Sequence, residues 1–168
     1  MQLRTLDDVF VDQVADLLSA EQQLVVALPK VASAASSDKL RNAIAEHLEE
    51  TRGHVRRLEE VMRSVDLGFP QERCEGMAGL LKESEEIVQA TGDTAAKDAA
   101  LIAAAQRVEH YEIAGYGTAR ALADELGFRE AESLLSDTLD EEKAADKKLN
   151  SIATGRLMRS GVNEKAVR

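Results

Sequence analysis

Apolar residues recur every three or four positions along most of the chain, the spacing that gathers side chains on one face of an α-helix. The first stripe, Phe10, Val14, Leu17, Leu24 and Leu28, predicts a helix over about 6–35. Thr5 caps it, with Asp8 answering three residues on. Pro29 removes a backbone bond to the carbonyl of Val25, so a kink rather than a stop is expected there. Ser36-Ser37-Asp38 reads as a turn and cap. Leu40, Ile44, Leu48, Thr51, Val55, Leu58 and Met62 then predict a helix over about 38–65. Gly68 and Pro70 mark a loop, Leu80, Leu81, Ile87 and Val88 a shorter helix over about 77–90, and Thr91-Gly92-Asp93 its end. Two more helices follow, about 95–126, stopped by Gly127, and about 129–153. The segment 154–168, with two glycines and mixed charges, is expected to be a loose tail. No stretch reads as a convincing strand.

Two short turns make two antiparallel hairpins, and the long 66–93 connection lets one pack on the other. The expectation is an all-α, single-domain chain over 1–168: a ferritin-like antiparallel four-helix bundle with one long crossover containing a short helix.

Composition agrees. The chain has 168 residues, 44% apolar and 31% charged, with 3% aromatic and no tryptophan, so alanine and leucine must fill the core. A net charge of −10 argues against nucleic-acid and anionic-membrane partners, which need clustered Lys and Arg. Cys74 is the single cysteine and cannot form an internal disulfide, which fits a reducing compartment. The N-terminus has no apolar signal core and no run reaches spanning length, so a cytoplasmic location is expected.

The stripes carry residues that do not belong in a core. The spacing from Phe10 puts Glu21 on the first stripe. Ile102, Ala105, Glu109, Glu112, Tyr116, Ala119 and Ala123 form the fourth helix's stripe, and Leu135, Thr138, Glu142, Ala145 and Leu149 the fifth's. On the second helix His47, Glu50 and His54 flank the apolar face. Glu21, Glu50, Glu112 and Glu142 each lie about twelve to fourteen residues from their hairpin turn, so they meet at one depth. Unpaired buried carboxylates are costly, and the stripes offer no matching Lys or Arg. Shared protons or bound cations could compensate. Oxygen donors with one or two imidazoles suit iron or manganese, and carboxylates can bridge two ions. The expected ligand set is Glu21, His47, Glu50, Glu109, Glu112 and Glu142 around two ions, with Glu50 and Glu142 bridging, His54 the runner-up to His47, and Asp146 a substitute on the fifth helix.

Other chemistry-bearing residues read more plainly. Tyr116 either packs in the core or hydrogen-bonds a metal-bound carboxylate. His110 points off the stripe, Glu141 is expected to face solvent, and Tyr111 carries no assignment. Cys74, beside Met77 at the start of a helix, is a free thiol.

Four segments carry a resemblance: Ala20-Glu21-Gln22-Gln23-Leu24, His47-Leu48-Glu49-Glu50-Thr51, Glu109-His110-Tyr111-Glu112-Ile113-Ala114-Gly115-Tyr116 and Leu139-Asp140-Glu141-Glu142-Lys143. With them the sequence resembles the YciF/YciE-like stress proteins, a ferritin-like family, over about residues 5–153. The resemblance implies a fold similar to rubrerythrin, a link to stress responses and a homodimer. The usual di-iron pattern is one Glu from each of two helices and Glu-x-x-His from the other two. This chain departs from it, with Gly53 three residues after Glu50 and Ala145 three after Glu142. Two functions follow as expectations: a di-metal stress-response protein that reacts with peroxide or dioxygen, or a non-enzymatic dimeric helical module without redox turnover.

Overall fold

In the computed structural model, residues 3–156 and 159–167 are described. Thr5 closes a capping box with Asp8 and opens α1 (Leu6–Ala34), which runs through Pro29. Ser37 caps α2 (Asp38–Ser64), and Cys74 caps α3 (Glu75–Gln89) through its thiol. Asp93 caps α4 (Thr94–Leu126), and Gly127, at φ 75°, turns the chain into α5 (Arg129–Thr154). That left-handed backbone favours glycine.

The order of packing is a ring, α1 beside α2, α2 beside α5, α5 beside α4 and α4 beside α1. Two local contacts fix the directions. Asp98 in the first turns of α4 accepts bonds from Ser36 N (2.8 Å), Ser36 Oγ (2.6 Å) and Ser37 N (2.8 Å), so α4 begins beside the α1–α2 turn. At the other end the Phe10 ring of α1 lies 5.4 Å from that of Phe128, in the α4–α5 turn. Every neighbouring pair in the ring is therefore antiparallel. The chain is an all-α, ferritin-like four-helix bundle whose crossover carries α3 along α1 and α4.

After α5 the structure is more ordered than the tail expected from sequence. Gly155–Arg156 (β1) pairs antiparallel with Arg159–Ser160 (β2), and α6 (Val162–Ala166) returns onto α4 and α5. Val162 is buried with Leu149 and Ala153, which anchors the segment. A Cβ at Gly161 would collide with the backbone of Ala153, so only glycine permits this return. The loose-tail expectation for residues 157, 158 and 168 lies outside the described residues.

The apolar core is divided in two. One cluster, with Leu24, Leu28, Leu40, Ile44, Leu101 and Leu149, sits toward the α1–α2 turn. The other, with Phe10, Leu17, Leu58, Tyr116 and Leu135, sits toward the α4–α5 turn. Each fully buried Leu or Phe contributes roughly 1.5–3 kcal/mol of transfer free energy, so the two clusters hold the four helices in register. Between them lies a polar layer. It contains Glu21, His47, Thr51, His54, Glu109, Glu112, Thr138 and Glu142, all buried.

Candidate metal centre

Each helix of the ring delivers donors to this layer from the middle of its length. Glu21 comes from α1, His47 and His54 from α2, Glu109 and Glu112 from α4, and Glu142 from α5. Their ligand atoms fall into two groups, His47 with Glu109, Glu112 and Glu142, and Glu21 with His54 and Glu142. Within each group the atoms lie no more than 4.8 Å apart, and Glu142 belongs to both. His47 Nε2 is 3.4 Å from Glu109 Oε1 and 4.0 Å from Glu142 Oε2. His54 Nδ1 is 2.8 Å from Glu142 Oε1 and 3.2 Å from Glu21 Oε1.

The inward atoms are short of partners. Both oxygens of Glu112 and of Glu142, one oxygen each of Glu21 and Glu109, and Nδ1 of His54 are buried without a hydrogen bond. Among the described residues no lysine or arginine is buried to offset them. Burial pushes the Glu21 and Glu112 carboxyls up, and neighbouring carboxylates add to the rise at Glu112. Burial likewise lifts Glu109 to about 9. For the imidazoles burial acts downward, but Glu50, Glu109 and Glu142 outweigh it at His47 and carry it to about 9. Glu142 and Glu21 do the same at His54 and carry it to about 10. Without cations, the layer therefore holds extra protons.

A carboxylate lies against the outer face of each imidazole, hydrogen-bonded at His54 and in ion-pair range at His47. Glu141 Oε2 lies 2.8 Å from His54 Nε2 and is itself fixed by a two-pronged bond from Arg57, at 2.6 and 2.7 Å. Glu50 Oε2 lies 3.4 Å from His47 Nδ1. Arg57 and His47 hold the Glu141 and Glu50 carboxyls below the usual carboxylate range. An ionised carboxylate on one ring nitrogen orients the other nitrogen inward and raises its basicity, the arrangement that supports a histidine metal ligand. Tyr116 donates a 2.5 Å bond to Glu21 Oε1 and fixes that carboxylate.

The sequence and fold match known proteins. A family model described as "Domain of unknown function (DUF892)" spans residues 5–166. Protein YciF of Escherichia coli (strain K12) is 47% identical over 167 residues, covering 99% of this chain and 98% of that protein.

The chain belongs to the DUF892 family.

The crystal structure of the Escherichia coli stress protein YciF superposes with a TM-score of 0.86 at 48% identity, covering 88% of this chain and 94% of that one. YcfI of Rhodopseudomonas palustris also gives a TM-score of 0.86, at 39% identity over 90% of this chain and 97% of that one.

In this DUF892 chain the fold brings together Glu21, His47, Glu109, Glu112 and Glu142, and adds His54 beside His47 rather than instead of it. Glu50 and Asp146 fall outside both groups. The Glu50 side chain is 47% exposed and reaches the layer only through His47, so it does not occupy the bridging position read from sequence. Asp146 accepts a bond from Gln106 and faces His110. Glu141, expected at the solvent, instead closes the His54–Arg57 network. Nothing in the helical period announces this, because Glu141 lies about 100° from Glu142 around α5; the available signal was Arg57, three residues after His54. Tyr111, left unassigned from sequence, bonds Asp16 at 2.6 Å and meets the Cys74 thiol at 3.0 Å.

Proposed function

We propose that this layer holds two divalent iron or manganese ions and that the protein is a di-metal stress-response protein acting on peroxide or dioxygen. The supporting observation is the shared, unpartnered carboxylate of Glu142, which faces His47 on one side and His54 and Glu21 on the other. Four buried carboxylates, those of Glu21, Glu109, Glu112 and Glu142, balance two divalent cations with both imidazoles neutral. The donor set fits the group: oxygen-rich with one imidazole per ion, the chemistry preferred by iron and manganese over softer metals.

In this reading Glu142 would be shared by both positions, with Glu109, Glu112 and His47 holding one ion and Glu21 and His54 the other. A redox-active pair bound there would supply electrons and open coordination positions for reaction with a peroxide or dioxygen. The chain's own residues set the conditions. Glu141 holds the His54 ring with Nδ1 inward, and the Glu50 carboxylate 3.4 Å from His47 Nδ1 favours a proton there and leaves Nε2 inward. The Tyr116 hydroxyl keeps Glu21 directed at the centre, and the two apolar clusters wall the layer on either side along the bundle. The stress role is carried over to this chain from the Escherichia coli stress protein YciF, at 48% identity. A homodimer and a reducing cytoplasm belong to the same proposal. The second is supported by Cys74, a free buried thiol.

The experiment is anaerobic loading with iron or manganese, followed by peroxide consumption with Glu142→Gln as control. Turnover by the loaded chain, lost in the variant, supports the proposal. A loaded chain that consumes no more peroxide than the variant removes the redox part and leaves the non-enzymatic module.

A further inference from the structure

The bundle is not filled beside the His47–Glu109 pair. On the side of the α1–α2 turn, a cavity of about 150 Å³ runs in between α2 and α5. Its wall is apolar, with Leu28, Ile44 and Leu149 as its buried part. Its deep polar end is His47 and Glu109, and its mouth is marked by the exposed Ala144, Glu50 and Lys148. The space exists because small residues face one another across the bundle. Ala145 stands three residues after Glu142, where a Glu-x-x-His helix would carry an imidazole, and Ala105 stands opposite on α4.

A dry apolar cavity of about this volume takes a guest the size of benzene, so about six to eight non-hydrogen atoms is the limit. The polar end sets the rest of the chemistry. Glu109 Oε2 and His47 Nε2 are buried without a hydrogen-bond partner, so in the metal-free protein a guest carrying a hydroxyl can satisfy groups that a plain hydrocarbon leaves bare. A carboxylate guest would meet the Glu50 carboxylate at the mouth and lose its hydration along the apolar wall. An ammonium guest would pass Lys148 and lose its hydration along the alanine and leucine wall.

We infer that this cavity is a binding subsite for a compact, oxygen-headed hydrocarbon, a branched alcohol or alkyl hydroperoxide. Its alkyl body packs on Leu28, Ile44 and Leu149, and its oxygen faces His47 and Glu109. The assignment of the oxygen end to the reacting side of the centre rests on the metal reading above; the apolar subsite does not. It implies that, if peroxides are the substrate, small alkyl hydroperoxides are the preferred ones.

The test is a methyl-detected NMR titration of metal-free and zinc-loaded protein with tert-amyl alcohol, with zinc content measured on the same samples. The expected result is saturable shifts confined to the methyls of Leu28, Ile44, Ala105, Ala145 and Leu149. Affinity should weaken by about tenfold or more in Ala145→Leu, which fills the space from α5. Ala144→Leu, at the exposed mouth, repeats the test where folding is least disturbed. Absence of saturable shifts, or equal affinity in both filled variants, overturns the subsite. Two zinc ions per chain with no alcohol binding would remove the subsite and leave the metal centre. Alcohol binding without zinc uptake would sustain the subsite and remove the metal centre.

Discussion

His54 and Glu141 are joined at 2.8 Å, and this bond decides which nitrogen of His54 faces the interior. With Nε2 donating to a carboxylate anchored by Arg57, Nδ1 faces Glu142 at 2.8 Å and becomes a free donor atom once its proton is lost. The outer carboxylate thus acts on the centre without touching it. Replacing Glu141 with Ala should weaken metal binding by about ten- to a hundredfold while leaving the helical content intact. Isothermal titration with manganese measures this, and unchanged affinity would mean that the ring orientation does not depend on Glu141.

Glu50 should behave like Glu141 rather than like a bridge. Its side chain is 47% exposed and touches His47 alone in the layer. Glu50→Ala is therefore expected to keep both ions at saturation with affinity reduced by about tenfold. Loss of one whole ion would restore Glu50 to the ligand set.

Glu142 lies in both donor groups and Glu21 in only one. Glu142→Gln should lower occupancy at both positions, whereas Glu21→Gln should remove one ion and spare the other. In the metal-free state Glu142 lies 2.8 Å from His54 and helps to hold that imidazole protonated, so Glu142→Gln breaks a buried pair and is expected to melt below the parent chain. Elemental analysis and thermal melts of the two variants check both statements.

The metal-free protein should lose stability as pH rises. His47 and His54 are raised from 6.5 to about 9 and about 10, so the stabilisation from their protonated forms is full below about 6.5 and is lost through pH 9–10. Glu109 is raised from 4.5 to about 9 and Glu112 is raised as well, so the stability their protonated forms contribute is already falling above about pH 4.5 and is lost for Glu109 by about pH 9. Both sets bind more protons folded than unfolded, and the sign is the same. Denaturant titrations of chelator-treated protein at pH 6 and pH 9 should show the lower midpoint at pH 9, and saturating manganese should abolish the difference. A higher midpoint at pH 9 without metal would contradict the protonated layer.

Asp98 carries the junction between hairpins. It is 3% exposed and accepts three bonds from Ser36 and Ser37. Its replacement by Ala should cost about 3 kcal/mol, since bonds to a charged acceptor each contribute about 1.5–3 kcal/mol and water can partly replace them. Urea unfolding of the metal-loaded chain measures this, with metal stoichiometry unchanged.

Much of this architecture is legible in the sequence because a helix repeats. The stripe from Phe10 to Leu28 and the glutamates on it obey one period, so helix, face and depth follow together. Contacts that depend on how two helices lean on each other do not. Glu50 flanks the α2 stripe and Glu141 lies off that of α5, and only the packing of α2 against α5 brings Glu141 to His54 and leaves Glu50 at the rim beside His47. The return of α6 is hidden for a similar reason: it depends on Gly161 passing over the end of α5 and on Val162 finding Leu149, contacts that no local pattern encodes. The departure from Glu-x-x-His is visible in Gly53 and Ala145, but that His54 supplies the second imidazole and that Ala145 leaves a cavity appear only in three dimensions.

Anomalous diffraction from crystals loaded anaerobically with manganese, recorded above and below the manganese edge, tests the central claim most directly. The account predicts two anomalous peaks per chain inside the polar layer. One should lie among His47, Glu109, Glu112 and Glu142 and the other among Glu21, His54 and Glu142. A loaded crystal with no peak in that layer, or with peaks only at the acidic surface, would contradict it.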